Sequence, residues 1–505
     1  MPKLASLSKV TLVLTSFIGY PDKYLCSLTP ELGNNDRLGL CQSSHLEPRL
    51  TGSYRFCSSF PLYYIIEKIK KGSKSLVNNQ RQVPVIYNLF PRLAGTMSDW
   101  LQHASRAAEI GFNWLYINSI HYPGFSGSLY AVKHYYRINP QFLPPDGEKD
   151  DLAILEQTLR GFRDLGLWPM MDLVINHTSQ NCPLIKEHPA WYVHNERGEI
   201  SSPFARDPDN PEKITVWGDL AEIDNEGSSD RESLWAYWAE LVKRYLKLGF
   251  KGFRCDAAYK IPAALWHFLV NEAASIDPDA MFFAETLGCT EEEALALHDA
   301  GLHYFFNSSK WWDFVQPWCL MQHEKFGKIA PSISFPESHD TTRLSADSDG
   351  SEAVQRQRYA FAALFSAGLM MPIGYEFGFR KKLDVVSTRP SDWETASFDL
   401  QKFIKKVNKL KMEYPLLHGE GKLKMITSDG NTLVLERSAE QTSGQLAWAL
   451  VNKSNSRHAT VTLNGIAISP RHRLHHICRD ENSSPELPPS GQTLVLDPAE
   501  VVLLL

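Results

Sequence analysis

One local pattern recurs along this chain and constrains it more than any other: a helix-like stretch ends in glycine and an apolar run follows at once. It occurs at Ile110-Gly111-Phe112, Leu165-Gly166-Leu167, Leu248-Gly249-Phe250, Ala300-Gly301-Leu302 and Ala367-Gly368-Leu369. Glycine takes the left-handed conformation that ends a helix without strain. The runs that follow, such as Trp114-Leu115-Tyr116-Ile117 and Trp168-Pro169-Met170-Met171, read as strands buried on both faces. The stretches before the glycines are amphipathic. Leu152, Leu155, Leu159 and Phe162 share one face of 151–164, and Leu234, Trp238, Leu241, Tyr245 and Leu248 share another. Repeated helix, glycine and strand mean a parallel sheet. Strands are expected to begin near 83, 112, 167, 250, 280, 302, 331 and 369.

Eight such units over about 340 residues predict a (β/α)8 TIM barrel at 81–420. A doubly wound open sheet is the competing architecture, but no GxGxxG follows any strand to bind a nucleotide. The run from about 178 to 230, rich in Pro, Asn, Asp and Ser, is an inserted B domain after strand three, and a connection that long is usually functional. After about 420 the period changes to short alternating segments such as Thr432-Leu433-Val434-Leu435 and Thr460-Val461-Thr462-Leu463. These predict a C-terminal antiparallel β-sandwich at 421–505. Residues 1–80 form an N-terminal extension to which no role is assigned. Its Lys68–Lys74 cluster reads as a solvated helix end.

The net charge of −6, from 52 basic and 58 acidic residues, argues against nucleic acid as a partner. No stretch approaches the length of a membrane span. Val10–Ile18 faintly resembles a signal peptide, but Thr11, Thr15 and Ser16 interrupt it and no cleavage pattern follows. The expectation is a soluble protein, cytoplasmic or exported by a route without a recognisable signal. The eight cysteines show no metal-ligand spacing and read as free thiols, with a disulfide left open among Cys26, Cys41 and Cys57. Oligomeric state is not legible.

In such a barrel the side chains at the carboxyl ends of the strands face the active site. Those positions hold Asp172, with Asn176 and His177 close behind, then Arg254-Cys255-Asp256, Glu285 and His339-Asp340. A lone acid there is more often a helix cap or an ion-pair member; three that end successive apolar strands are harder to dismiss. Paired carboxyls flanking a bond are what glycoside cleavage requires. Arg254 shares a strand face with Asp256, because strand side chains alternate, and its fixed charge favours an ionised nucleophile. An ordinary buried ion pair is the plainer reading of those two.

With Asp172-Leu-Val-Ile-Asn-His177, Gly252-Phe-Arg-Cys-Asp-Ala257, Phe283-Ala-Glu285 and Ser338-His-Asp340 in this order, the chain resembles glycoside hydrolase family 13, the α-amylase family, from about residue 80 to the end. Tyr87, Leu129-Tyr130, Ile138-Asn139-Pro140 and Trp217-Gly-Asp-Leu220 add to the match. The resemblance implies that Asp256 is the nucleophile, Glu285 the acid/base and Asp340 the acid that stabilises the transition state. It implies that Arg254, His177 and His339 surround the reacting sugar, that Tyr130 stacks beneath it, and that Asp172 supports the arginine. Departures are Ser338 where an Asn is usual, His134 where an acid is usual, and Lys260 in a segment lacking the Lys-His of calcium-dependent amylases. Lys260 is a candidate for an acceptor subsite. No cofactor is required; a structural calcium would fall to Asn176 and Asp219. His188-Pro-Ala-Trp191-Tyr192 is similar to a segment found in several branches, maltosyltransferases included.

The leading expectation is a retaining α-amylase-type hydrolase of α-1,4-glucans such as starch, glycogen or maltodextrins. The alternative is a transglycosylase, maltosyl- or glucanotransferase, with the same triad. A third reading is a non-catalytic carbohydrate-binding or transport-accessory protein on the same fold.

Overall fold

The computed structural model describes residues 83–145, 151–206, 212, 214–439, 444–463, 466–479 and 493–505, all within one compact unit. The N-terminal extension, with its signal-like stretch, lysine cluster and three cysteines, lies outside the described residues. Eight parallel strands close into a barrel: β1 Val85–Leu89, β2 Trp114–Ile117, β3 Trp168–Leu173, β4 Gly252–Cys255, β5 Met281–Glu285, β6 Tyr304–Phe306, β7 Ser332–Ser334 and β8 Gly368–Pro372. Each strand pairs with its neighbours in sequence and β8 closes on β1. This rules out the open doubly wound sheet. The strands alternate with helices α1 Met97–Glu109, α2 Asp151–Asp164, α3 Arg231–Leu248, α4 Ala263–Ala274, α5 Glu291–Leu295, α6 Trp318–Phe326, α7 Glu352–Phe365 and α8 Gln401–Glu413.

The two-residue period sorts each strand's side chains. Ile86, Trp114, Tyr116, Met170, Met281, Phe283, Phe306, Ile333 and Met370 fill the barrel interior. Their alternates, such as Leu115, Met171, Phe253 and Phe282, pack outward with the helices.

Three of the five glycine signals cap as expected, Gly111, Gly166 and Gly249, with φ of 91°, 81° and 119°; Gly301 also has positive φ, 73°. Gly301 follows a turn instead of the helix itself, because α5 stops at Leu295. Gly368 is a correction: α7 ends at Phe365 and Gly368 is the first residue of β8, without positive φ. Close approach explains it, since a Cβ there would lie 2.0 Å from Ile333 Cδ1 and 3.0 Å from Pro84 Cγ.

The insertion after β3 is folded, with antiparallel pairs His177–Ser179 with Leu220–Glu222 and Phe204–Arg206 with Ile214–Val216. At the C-terminus, β9 Lys422–Ser428, β10 Thr432–Ser438, β11 Leu446–Asn452, β12 Ala459–Thr462, β13 Leu474–His476, β14 Thr493–Leu496 and β15 Val501–Leu504 form two sheets. One has the order β9-β10-β11-β15-β13 and the other pairs β12 with β14. Val434, Trp448, Leu450, Val461, Leu496 and Val502 fill the space between them, which makes a sandwich. It is anchored to the barrel by buried polar groups. Arg437 donates to the carbonyls of Phe365 and Leu416, and Glu420 accepts from the Ser332 amide at 2.7 Å. Cys182, Cys255, Cys289, Cys319 and Cys478 are free thiols. Among the described residues, no helix is long and apolar enough to cross a membrane.

Candidate active site

Arg254 is the hub of the barrel mouth. It stands opposite Asp172 in the β3–β4 register and opposite Phe283 in β5. Its Nη1 lies 3.0 Å from Asp172 Oδ1 and 2.5 Å from Asp256 Oδ1, and its Nη2 lies 3.8 Å from Glu285 Oε2. Three acids from three adjacent strands therefore share one buried guanidinium, a charge no protein environment removes. Directly after Asp256, Ala257 sits in the left-handed region at φ 40°. Such backbone costs about 1–3 kcal/mol and persists where surrounding structure enforces it. Here the reversal turns the Ala257 amide onto Glu285 Oε2 at 2.8 Å, while the Leu287 amide reaches Oε1 at 3.0 Å.

Asp172 is held by more than Arg254. It accepts from the hydroxyls of Tyr116 and Tyr130 and from the Ser119 amide, all at about 2.9–3.0 Å. Behind the tyrosines the bonds run in one direction. Asn88 donates to Asn118 Oδ1 at 2.8 Å, and Asn118 donates to both tyrosine hydroxyls at 3.0 Å. With its proton given to Asp172, the Tyr130 hydroxyl accepts from His339 Nε2 at 2.7 Å. His339 therefore carries its proton on Nε2 and leaves Nδ1 as a buried acceptor without a partner among the described residues. The Tyr130 and His339 rings lie nearly parallel, 5.9 Å apart. His339 Nε2 is also 3.1 Å from Asp340, whose side chain is 54% exposed at the rim.

Burial sets the protonation states. It raises Glu285 from 4.5 to about 7; Arg254 opposes the shift, while the charges of Asp256 and Asp340 add to it. Burial raises Asp172, against the pull of Arg254. It lowers His177 and His339, keeping both imidazoles neutral. His177 Nε2, like His339 Nδ1, is buried with no partner among the described residues.

Asp256, Glu285, Asp340, Arg254, Asp172, Tyr130 and His339 are thus joined by direct contacts, and His177 lies within electrostatic reach of Asp256. Lys260 makes none of these contacts: its ammonium pairs with Glu293 of α5 at 3.6 Å and lies over the Tyr259 ring. Tyr87 also points away from the mouth. It is one residue out of phase with the inward Ile86 and Asn88, and its hydroxyl donates to Glu376 at 2.7 Å. Asn176 has a buried Oδ1 without a partner among the described residues. Among the described residues, no group of three or more His, Cys, Asp or Glu side chains is placed to hold a metal ion.

Sequence reasoning missed Tyr116, Asn118 and Asn88. Their inward phase and their polarity inside apolar strands were the available signal. It also missed Glu337, buried and paired with Arg343 at 2.7 Å, which ties the segment before His339 to the end of β8 through the Ile373 carbonyl.

With a closed (β/α)8 barrel, a folded insertion after its third strand, a C-terminal sandwich and this set of acids around one arginine, the chain is similar to proteins of the α-amylase family, glycoside hydrolase family 13. A family model described as glycogen debranching enzyme, glucanotransferase domain, matches residues 82–197. The α-1,4-glucan:maltose-1-phosphate maltosyltransferase of Burkholderia pseudomallei is 27% identical over 367 residues, covering 70% of this chain and 31% of that protein. The enzyme of the same name from Picrophilus torridus is 26% identical over 219 residues, covering 39% of this chain and 32% of that protein. The chain thus spans about a third of the length of these curated relatives. Among solved structures, an α-amylase from Lactobacillus plantarum superposes with a TM-score of 0.66 at 19% identity, over 84% of this chain and 99% of that one.

Proposed function

We propose that this protein is a retaining α-glucan transglycosylase: it takes a maltosyl or longer unit from an α-linked donor and passes it to a hydroxyl of an α-1,4-glucan. The observation that carries the chemistry is the split between two carboxyls on adjoining strands. Glu285 is raised to about 7 while Asp256 lies 2.5 Å from the Arg254 guanidinium. Two acids in different environments divide into acid and nucleophile. Asp256 attacks the anomeric carbon as Glu285 gives its proton to the departing oxygen, the old glycosidic bond breaks, and a glycosyl-enzyme forms on Asp256. Glu285, now a carboxylate, takes the proton of the acceptor hydroxyl, whose oxygen attacks the same carbon and releases Asp256. Two inversions leave the configuration retained. Asp340 at the rim faces the positive charge that develops on the sugar. Tyr130 offers its ring to the sugar's apolar face, and His177 Nε2 and His339 Nδ1 offer acceptors to its hydroxyls.

Transfer is preferred to hydrolysis because the curated relatives are named as maltosyltransferases. Hydrolysis of the same intermediate is the second reading. The observation favouring it is the half-exposed Asp340 side chain, which leaves the mouth open to water. The intact constellation speaks against a purely binding role.

The test supplies maltoheptaose alone, and maltosyl phosphate with maltoheptaose, and resolves the products by chromatography. Chains longer than the substrate without a matching rise in reducing ends support transfer. One new reducing end per cleavage supports hydrolysis. Neither outcome with any α-linked donor overturns the proposal.

A further inference from the structure

Two consecutive tryptophans follow β6 and meet opposite fates. Trp312 is fully buried, with its Nε1 donating to the Gln316 carbonyl at 2.7 Å and its ring packed on Phe314, Phe361 and Phe365. Trp311 keeps 52% of its surface in water. The turn that carries it is tied down: the Ser309 amide donates to Asn307 Oδ1 at 3.1 Å and the Ser309 hydroxyl to Ser334 at 3.0 Å. The Trp311 ring meets Phe335 edge to face, with centroids 6.4 Å apart. Phe335 in turn lines the pocket that holds Glu285 and Asp340. The Lys310 ammonium sits 5.4 Å from the Trp311 ring centroid. A large apolar ring, half in water, is thus carried on an anchored turn at the edge of the pocket that holds Glu285 and Asp340.

We infer that Trp311 is a specificity-determining residue: its indole face binds a glucosyl ring of an α-1,4-glucan beyond the reacting unit, on the β6–β7 side of the mouth. This rests on the transglycosylase reading and adds a subsite to it. Pyranose rings present an apolar C–H face that an aromatic ring covers with little entropic cost when that ring is already fixed. Trp312 and Ser309 anchor the turn that carries it, and Phe335 makes it continuous with the pocket.

The experiment compares kcat/KM for maltoheptaose with kcat/KM for α-glucosyl fluoride, a donor with no glucosyl unit beyond the reacting one, in wild type, Trp311→Ala and Trp311→Phe. The ratio of the two constants is expected to fall about tenfold in Trp311→Ala, equivalent to about 1.4 kcal/mol, and to recover most of the loss in Trp311→Phe. An unchanged ratio in Trp311→Ala overturns the inference while the turnover of both donors upholds the functional reading. So does an unchanged ratio accompanied by a change of assembly state in sedimentation, which would assign the ring to a second copy of the chain. Wild type that turns over neither donor overturns the functional reading and the inference with it.

Discussion

Replacing Glu285 with Gln removes a charge that the folded protein disfavours, and the gain depends on pH in a defined direction. The carboxyl is raised from an ordinary 4.5 to about 7, chiefly by burial, and its side chain is only 12% exposed. Because the folded value lies above the unfolded one, its full contribution to stability is present below about 4.5. It is lost as pH rises through about 7, at about 1.4 kcal/mol per pH unit in between. Over 2.5 units the loss is about 3 kcal/mol. The glutamine keeps the shape but accepts at only one of the two positions now used by the Ala257 and Leu287 amides. That costs roughly 1–3 kcal/mol at every pH. The offset cancels when the difference between variant and wild type is followed across pH. For a chain of this size the unfolding entropy makes 1 kcal/mol about 1 °C. Calorimetry should therefore show Glu285→Gln gaining about 3 °C on wild type between pH 4.5 and pH 8. Midpoints that run parallel over that range would refute the claim that the resting site holds this acid neutral.

Donor chemistry separates the two central carboxyls. Glu285→Ala should still form the glycosyl-enzyme from α-glucosyl fluoride, whose leaving group departs without a proton, with azide speeding its breakdown; Asp256→Ala should do neither. The reverse pattern would exchange their roles. Tyr130→Phe removes a hydroxyl that serves both Asp172 and His339; kcat/KM should fall about 10–100-fold, matching 1–3 kcal/mol, and a change under twofold contradicts the bonding direction assigned here. Gly252→Ala places a Cβ 2.8 Å from Trp114 Cζ3 and 3.1 Å from the Met281 carbonyl. Denaturant unfolding should show a loss of about 1–3 kcal/mol, and an unchanged midpoint would mean that the barrel floor has slack.

The barrel was readable along the chain because its signals are local. Helix, glycine and apolar run each report on backbone preference within a few residues, and the two-residue period of a strand tells which side chains face inward. That is why Asp172, Arg254 and Glu285 could be placed at the mouth before any contact was known. Contacts across strands are not local, and there the residue order is silent. Tyr87 counted towards the family resemblance, yet its phase turns it outward to Glu376. Gly368 looked like a helix cap, yet it makes room for Ile333 and Pro84. Lys260 stands four residues after Asp256, yet its nearest acid is Glu293 on a later helix. The relay from Asn88 through Asn118 to two tyrosines and Asp172 joins residues 30 and 42 positions apart. Only closure of the sheet brings them within hydrogen-bond reach, and only the burial that closure creates raises Glu285 towards neutrality. Strand phase put the acids at one end of the barrel; the three-dimensional packing decided which of them share Arg254 and pushed Glu285 up to about 7.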